Sequence, residues 1–127
     1  MINENMTPAR FKDIALDAQD HQALADWWCT ALGYVRKTPR DGSERPRDWP
    51  IPIADPSGAG PLIWINPVPE AKTIKNRMHF DVSGDPARLV ALGATVVRER
   101  DDEIEWHVLA DPEGNEFCVF AAEDAVG

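Results

Sequence analysis

The stretch RMHFDV (77–82) sets a histidine and an aspartate, His79 and Asp81, two residues apart. Alternate side chains of a strand share a face, so His79 and Asp81 look one way while Met78, Phe80 and Val82 look the other and suit packing on a helix. An imidazole so placed can hydrogen-bond a polar ligand or hold a metal, and a neighbouring carboxylate can act as a base. EFCVF (116–120) repeats the spacing with Glu116 and Cys118, a carboxylate and a thiol on one face. Asp13 and Asp17 stand on the polar side of FKDIALDA (11–18), Asp17 being a second candidate base. Trp64 and Trp106 offer flat walls for an aromatic ligand, and Arg77, with Lys75, a cation for an anionic one. Each has a plainer use: a strand histidine bonded into the fold, a half-buried thiol, carboxylates facing water, indoles in the core.

These side chains need strands to position them, and the pattern supplies strands in a repeated order. ADPSG (54–58) and ADPEG (110–114) are nearly the same turn, each just ahead of an apolar run, PLIWI or EFCVF. Asp-Pro sets the entry to a turn and the glycine supplies its left-handed position. LGY at 32 pairs with LGA at 92, and IALD at 14 with MHFD at 78, so the three matches run in one order at offsets of 56, 60 and 64. That is the mark of a tandem duplication. Each half reads strand, helix, strand, strand, strand. In the first, Asp20 caps a helix whose apolar face carries Leu24, Trp27, Trp28, Ala31 and Leu32 and which stops at Gly33; His21 falls on its outer side. The proline-rich segment from Pro39 to Pro61 reads as loop with short edge strands. In the second half, Asp85-Pro86 opens a short helix.

At 127 residues and a formal net charge of −9, the chain suits one domain, excludes nucleic acid and anionic membrane as natural partners, and contains no apolar run long enough to span a bilayer. Cys29 and Cys118 have no metal-ribbon spacing, and MINENMTPAR has no apolar leader pattern, so a cytoplasmic protein with reduced thiols is expected. Three consecutive strands per half rule out a doubly wound sheet. The expected class is α+β: two tandem βαβββ modules, about 11–68 and 77–122, with helices on one face of a curved mixed, largely antiparallel sheet.

Through ALGY, VPEAKTIKNRMHFDV, LVALGATVV and VLADPEGNEFCVF, residues 11–122 resemble the vicinal oxygen chelate superfamily of glyoxalases, bleomycin-resistance proteins and extradiol dioxygenases, above all its glyoxalase-like group. The resemblance implies that the curved sheet of the two modules encloses a cavity with helices outside, a site lined from both modules and, in metal-dependent members, ligands on the first and last strand of each. Those slots fall at about Asp13, Ile63, His79 and Cys118. Ile63 cannot ligate, Cys118 stands where a glutamate is expected and would favour zinc, and Glu116 is the substitute should the register slip.

Three functions follow. The first is a small-molecule binding protein without a full metal site or other cofactor, using His79, Trp64, Trp106 and Arg77. The second is a lyase, isomerase or dioxygenase holding zinc, iron or nickel on His79 with Asp13 and Cys118 or Glu116, and Asp81 or Asp17 as base. The third is an interaction module with a filled cavity. A homodimer is expected in each case.

Overall fold

Helix α1 (His21–Leu32) starts where the Asp20 carboxylate accepts the Ala23 amide at 3.1 Å and stops at Gly33, whose φ is 72°. Helix α2 (Pro86–Leu92) starts in the same way, Asp85 accepting the Ala87 amide at 2.9 Å. Both starts are those the sequence predicts. The computed structural model describes residues 7–121; the readings of residues 1–6 and of the module end at 122 lie outside them.

Eight strands accompany the helices: β1 (Ile14–Ala18), β2 (Val35–Arg36), β3 (Ile51–Ala54) and β4 (Ile63–Pro67) in the first half, and β5 (Asp81–Ser83), β6 (Thr95–Arg98), β7 (His107–Ala110) and β8 (Glu116–Phe120) in the second. They form two four-stranded sheets of the same plan, ordered β1-β4-β3-β2 and β5-β8-β7-β6. In each, the first and last strands of the half pair in parallel and the other pairs are antiparallel. The fold is α+β with mixed sheets, and the repeated order matches two tandem modules.

The duplicated turns fall on the same connection, ahead of β4 and β8. Gly58 and Gly114 have φ of 80° and 86°, and their amides donate to the Asp55 and Asp111 carbonyls at 2.9 and 2.8 Å. The left-handed backbone explains glycine at both places. Each aspartate also turns its side chain inward, Asp55 accepting the Ser57 and Gly60 amides and Asp111 those of Glu113 and Asn115.

Two sequence expectations change. The proline-rich segment contains not only edge strands: β3 lies inside its sheet, with Ile51 and Ile53 in the core. Pro52 is tolerated there because a residue's N–H and C=O point to the same side of a strand. Its carbonyl accepts the Lys37 amide at 2.9 Å, so the missing donor faces the short strand β2 rather than β4. His21, expected on the outside, is buried, its Nε2 3.1 Å from the Trp49 carbonyl, because the 39–50 loop folds over the start of α1.

The core joins both halves. Trp28 of α1 is buried edge-on against Phe80 and Phe117, with ring centroids 5.2 and 4.9 Å away, and Trp27 packs on Trp28 at 4.9 Å. The Trp28 indole N–H donates to the Asp111 carboxylate of the second turn at 2.9 Å. Next to it Glu113 accepts the Gln19 and Asp20 amides at 2.9 and 3.0 Å, so the second turn grips the entry to the first helix. Burial pushes the Asp111 carboxyl up, while the hydrogen bonds from Asn115, Trp28 and Glu113 pull it back. No helix among the described residues is long and apolar enough to cross a membrane. Asp111→Ala strands a buried indole N–H and two turn amides, and should lower unfolding free energy by about 2–4 kcal/mol in urea denaturation.

Candidate functional site

Phe117 and Val119 of β8 point into the core, so Glu116, Cys118 and Phe120 look out from the opposite face. That face carries a cavity of about 420 Å³. Its apolar wall is Val97, Ile104, Trp106, Val108 and Phe120, with Trp106 and Phe120 rings 5.6 Å apart. His79, Asp81 and Cys118 line it as well.

Strand pairing assembles that group. Asp81 lies opposite Cys118 in the parallel β5–β8 ladder, and the Cys118 amide donates to the Phe80 carbonyl at 2.9 Å, which fixes the approach to the strand with His79 two residues before it. His79 Nδ1 is 3.2 Å from Asp81 Oδ1, and one donor atom from each of His79, Asp81 and Cys118 lies within 4.8 Å of the others. Burial pushes the Cys118 thiol up, and the Asp81 carboxylate adds to the effect. Without a bound cation the thiol keeps its proton at neutral pH.

Glu116 is already engaged. Its carboxylate accepts from Lys72 Nζ at 2.8 Å and from the Asn76 amide at 2.9 Å, and the Asn76 side chain accepts the Glu116 amide at 3.2 Å. The Lys72 ammonium, first, and the Asn76 amide hold the carboxyl below the usual range. The pair of contacts ties the segment between the modules to β8.

The first half presents a different surface at the equivalent place. Ile14 and Leu16 pack on the core as Phe80 and Val82 do, and Ala15 lies opposite Trp64 as Asp81 lies opposite Cys118. By this pairing Asp13 corresponds to His79 and Trp64 to Cys118, which shifts the match of IALD with MHFD read in the sequence by two residues. The slot predicted at Ile63 therefore moves by one residue: Ile63 is 3% exposed and faces the core. The Trp64 indole donates to Asp13 Oδ2 at 3.0 Å, and the same oxygen takes Lys12 Nζ at 2.7 Å. These two hydrogen bonds, Lys12 first, hold the Asp13 carboxyl down. Lys12 and Arg45 lie 5.9 and 6.0 Å from the Trp64 ring centre.

The structure thus brings His79, Asp81, Cys118, Glu116 and Trp106 to one cavity and leaves Asp13 and Trp64 out of it. Asp17 lines a separate groove with Lys72 and Lys75, and Arg77 a cleft on the other side of His79 with Ile14 and Met78. Within one chain the cavity draws only on residues 75–120. Sequence reasoning missed Val97, Ile104, Val108 and Phe120. Phe120 was readable from strand parity with Cys118, whereas Val97 sits at a register shift in β6 and Ile104 in an irregular loop. His107 serves the fold, its Nδ1 accepting the Arg100 amide at 3.2 Å.

A family model for the glyoxalase-like domain matches residues 13–120, and the chain belongs to that family, within the vicinal oxygen chelate superfamily. A search of curated protein sequences finds no match. Among solved structures, a glyoxalase/bleomycin resistance protein/dioxygenase family enzyme from Burkholderia phytofirmans is 17% identical, with 87% of this chain and 99% of that one covered at a TM-score of 0.61. Glyoxalase I from Leishmania major is 12% identical, covering 93% and 90% at 0.59. A mutant of the fosfomycin resistance protein FosX from Listeria monocytogenes, complexed with Mn(II) and 1S,2S-dihydroxypropylphosphonic acid, is 14% identical, covering 91% and 93% at 0.66. At these identities the likeness is one of fold. An oxygen-rich set for a hard ion such as Mn(II) does not fit this chain: Asp13 and Glu116 are held by lysines and backbone or indole N–H groups, and a thiol occupies the facing strand position.

Proposed function

We propose that this chain is a small-molecule binding protein of the glyoxalase-like family, taking a compact, largely apolar or aromatic ligand that carries one polar group. The observation that carries the reading is the module-two cavity of about 420 Å³, a size suited to such ligands, with an apolar wall and one polar cluster. The ligand's ring lies against Trp106 and Phe120, and its polar group meets the exposed edge of His79, which Asp81 orients through Nδ1. An open cavity favours this reading over a filled interaction module. Enzymatic proton abstraction has less support, since Asp17 lines a different groove and Asp81 is engaged with His79.

His79→Ala should weaken binding of a ligand found by intrinsic tryptophan fluorescence by about 1–2 kcal/mol, the loss of one partly buried hydrogen bond, with the circular dichroism spectrum unchanged. Unchanged affinity in a folded His79→Ala protein overturns the assignment.

The second proposal concerns assembly. Strand β6 is a sheet edge whose four residues are all exposed, Val96 and Val97 by 49% and 53%, and Val90 and Leu92 of α2 are exposed beside it in sequence. Such an edge needs cover, and we infer a homodimer. Light scattering at tens of micromolar should give twice the chain mass; a monomer mass contradicts this. The two free cysteines, Cys29 and Cys118, support a reducing, cytoplasmic location.

A further inference from the structure

We infer that the loop between β2 and β3 carries a second binding site, for a small, multiply charged oxyanion of the phosphate-ester or polycarboxylate kind. The inference goes beyond the ligand reading and does not rest on it. It starts from where the charge lies. Arg36, Lys37, Arg40, Arg45 and Arg47 fall within twelve residues that hold only two acids, Asp41 and Glu44. That stretch carries a formal charge of +3 in a chain of −9, so the remainder carries −12.

Four of these cations surround a cavity of about 550 Å³, whose lining includes Arg36, Lys37, Arg45, Arg47 and the Thr38 hydroxyl, with Glu44 its one acid. Arg36 is already committed. Its Nε and Nη2 donate to Asp26 Oδ1 at 3.1 and 2.9 Å and its Nη1 to the Gln22 side chain at 2.8 Å, so it ties β2 to α1. Lys37, Arg45 and Arg47 make no ion pair among the described residues. Arg45 stands 6.0 Å from the Trp64 ring centre, a contact that steadies its guanidinium without neutralising it.

The frame beneath the cations is fixed from several sides. The Gln22 side chain donates to the Arg47 carbonyl at 3.0 Å, the Lys37 amide to the Pro52 carbonyl at 2.9 Å, and His21 Nε2 is 3.1 Å from the Trp49 carbonyl. Prolines at 39, 46, 50 and 52 restrict the backbone further. Like charges are thus held together on a rigid frame, a repulsion that a bound anion relieves, and donors already in place lose little freedom on binding. Each free guanidinium offers a planar fork that matches two oxygens of a phosphate or carboxylate. The surrounding charge sets the size of the ligand. A long polyanion would run on from this stretch over a body of −12, whereas a molecule that fits the cavity stays within the positive field. The pocket reaches Gln22 of α1 and Ile51 of β3, and shares no residue with the module-two cavity.

The test is isothermal titration calorimetry of the full chain with inorganic pyrophosphate and with citrate, in buffer of low ionic strength. One or both should bind once per chain, and added sodium chloride should weaken the binding, as expected for exposed charges. The probe that binds more tightly tells a phosphate ester from a polycarboxylate. Arg45→Gln and Arg47→Gln should each weaken it by about tenfold or more, the loss of one charge-assisted hydrogen bond. Arg88→Gln and Arg100→Gln remove the same charge elsewhere on the surface and should leave it unchanged. No binding of either probe overturns the site, as does an equal loss in the Arg88 and Arg100 variants, or tighter binding of a short oligothymidylate than of both probes. Should Arg45→Gln or Arg47→Gln fail to fold by circular dichroism, Lys37→Gln decides, and unchanged affinity there overturns it.

Discussion

The buried hydrogen bond from the Trp28 indole to the Asp111 carboxylate is the contact on which the arrangement turns. Asp111 shapes the second turn from inside by accepting the Glu113 and Asn115 amides, and at the same time anchors the central aromatic of the first half's helix. The turn fixes where β8 begins, and β8 pairs with β5 in the register that sets Cys118 opposite Asp81. The same indole lies against Phe80 and Phe117, the core-facing neighbours of His79 and Cys118. With the inward side of both strands committed to Trp28, strand alternation leaves His79, Asp81, Glu116 and Cys118 on the other side. Core packing and cavity chemistry are two faces of one constraint.

The duplicated plan makes the divergence of the halves informative. Both carry a parallel first-to-last strand pair and an Asp-Pro turn ahead of it, yet the equivalent outward positions have become Asp13 and Trp64 in one half and His79 and Cys118 in the other. In the first, the Trp64 indole and Lys12 share one oxygen of the Asp13 carboxylate, and Lys12 and Arg45 lie near the ring. In the second, the donors face a cavity with an aromatic wall. Membership of the glyoxalase-like family accounts for the shared frame, and the residues at these four positions account for how the two outward surfaces differ.

Much of the fold was legible because its signals are local. Asp20, Gly33 and Asp85 bound their helices through contacts a few residues away, and the Asp-Pro turns need only their own glycines. Strand parity was enough to put His79 with Asp81. What escaped depends on residues distant in sequence. The resemblance puts a ligand slot at about Ile63, but Ile63 faces the core and Trp64, opposite Ala15, turns outward instead. Burial of His21 depends on Trp49, 28 positions away, and Glu116 is held by Lys72 and Asn76 across 44 and 40 positions. Pro52 argued against an interior strand, and only the direction of its carbonyl explains why the sheet accepts it. No pattern in the linear sequence announces such partners.

The central claim is that one half of the chain holds the ligand. Its most direct test is the affinity of a single aromatic ligand for Trp106→Phe and Trp64→Phe proteins, measured side by side by calorimetry. The account predicts weakened binding for Trp106→Phe and wild-type binding for Trp64→Phe. Equal loss in the two variants would contradict it, because the ligand would then lie between the sheets of both halves.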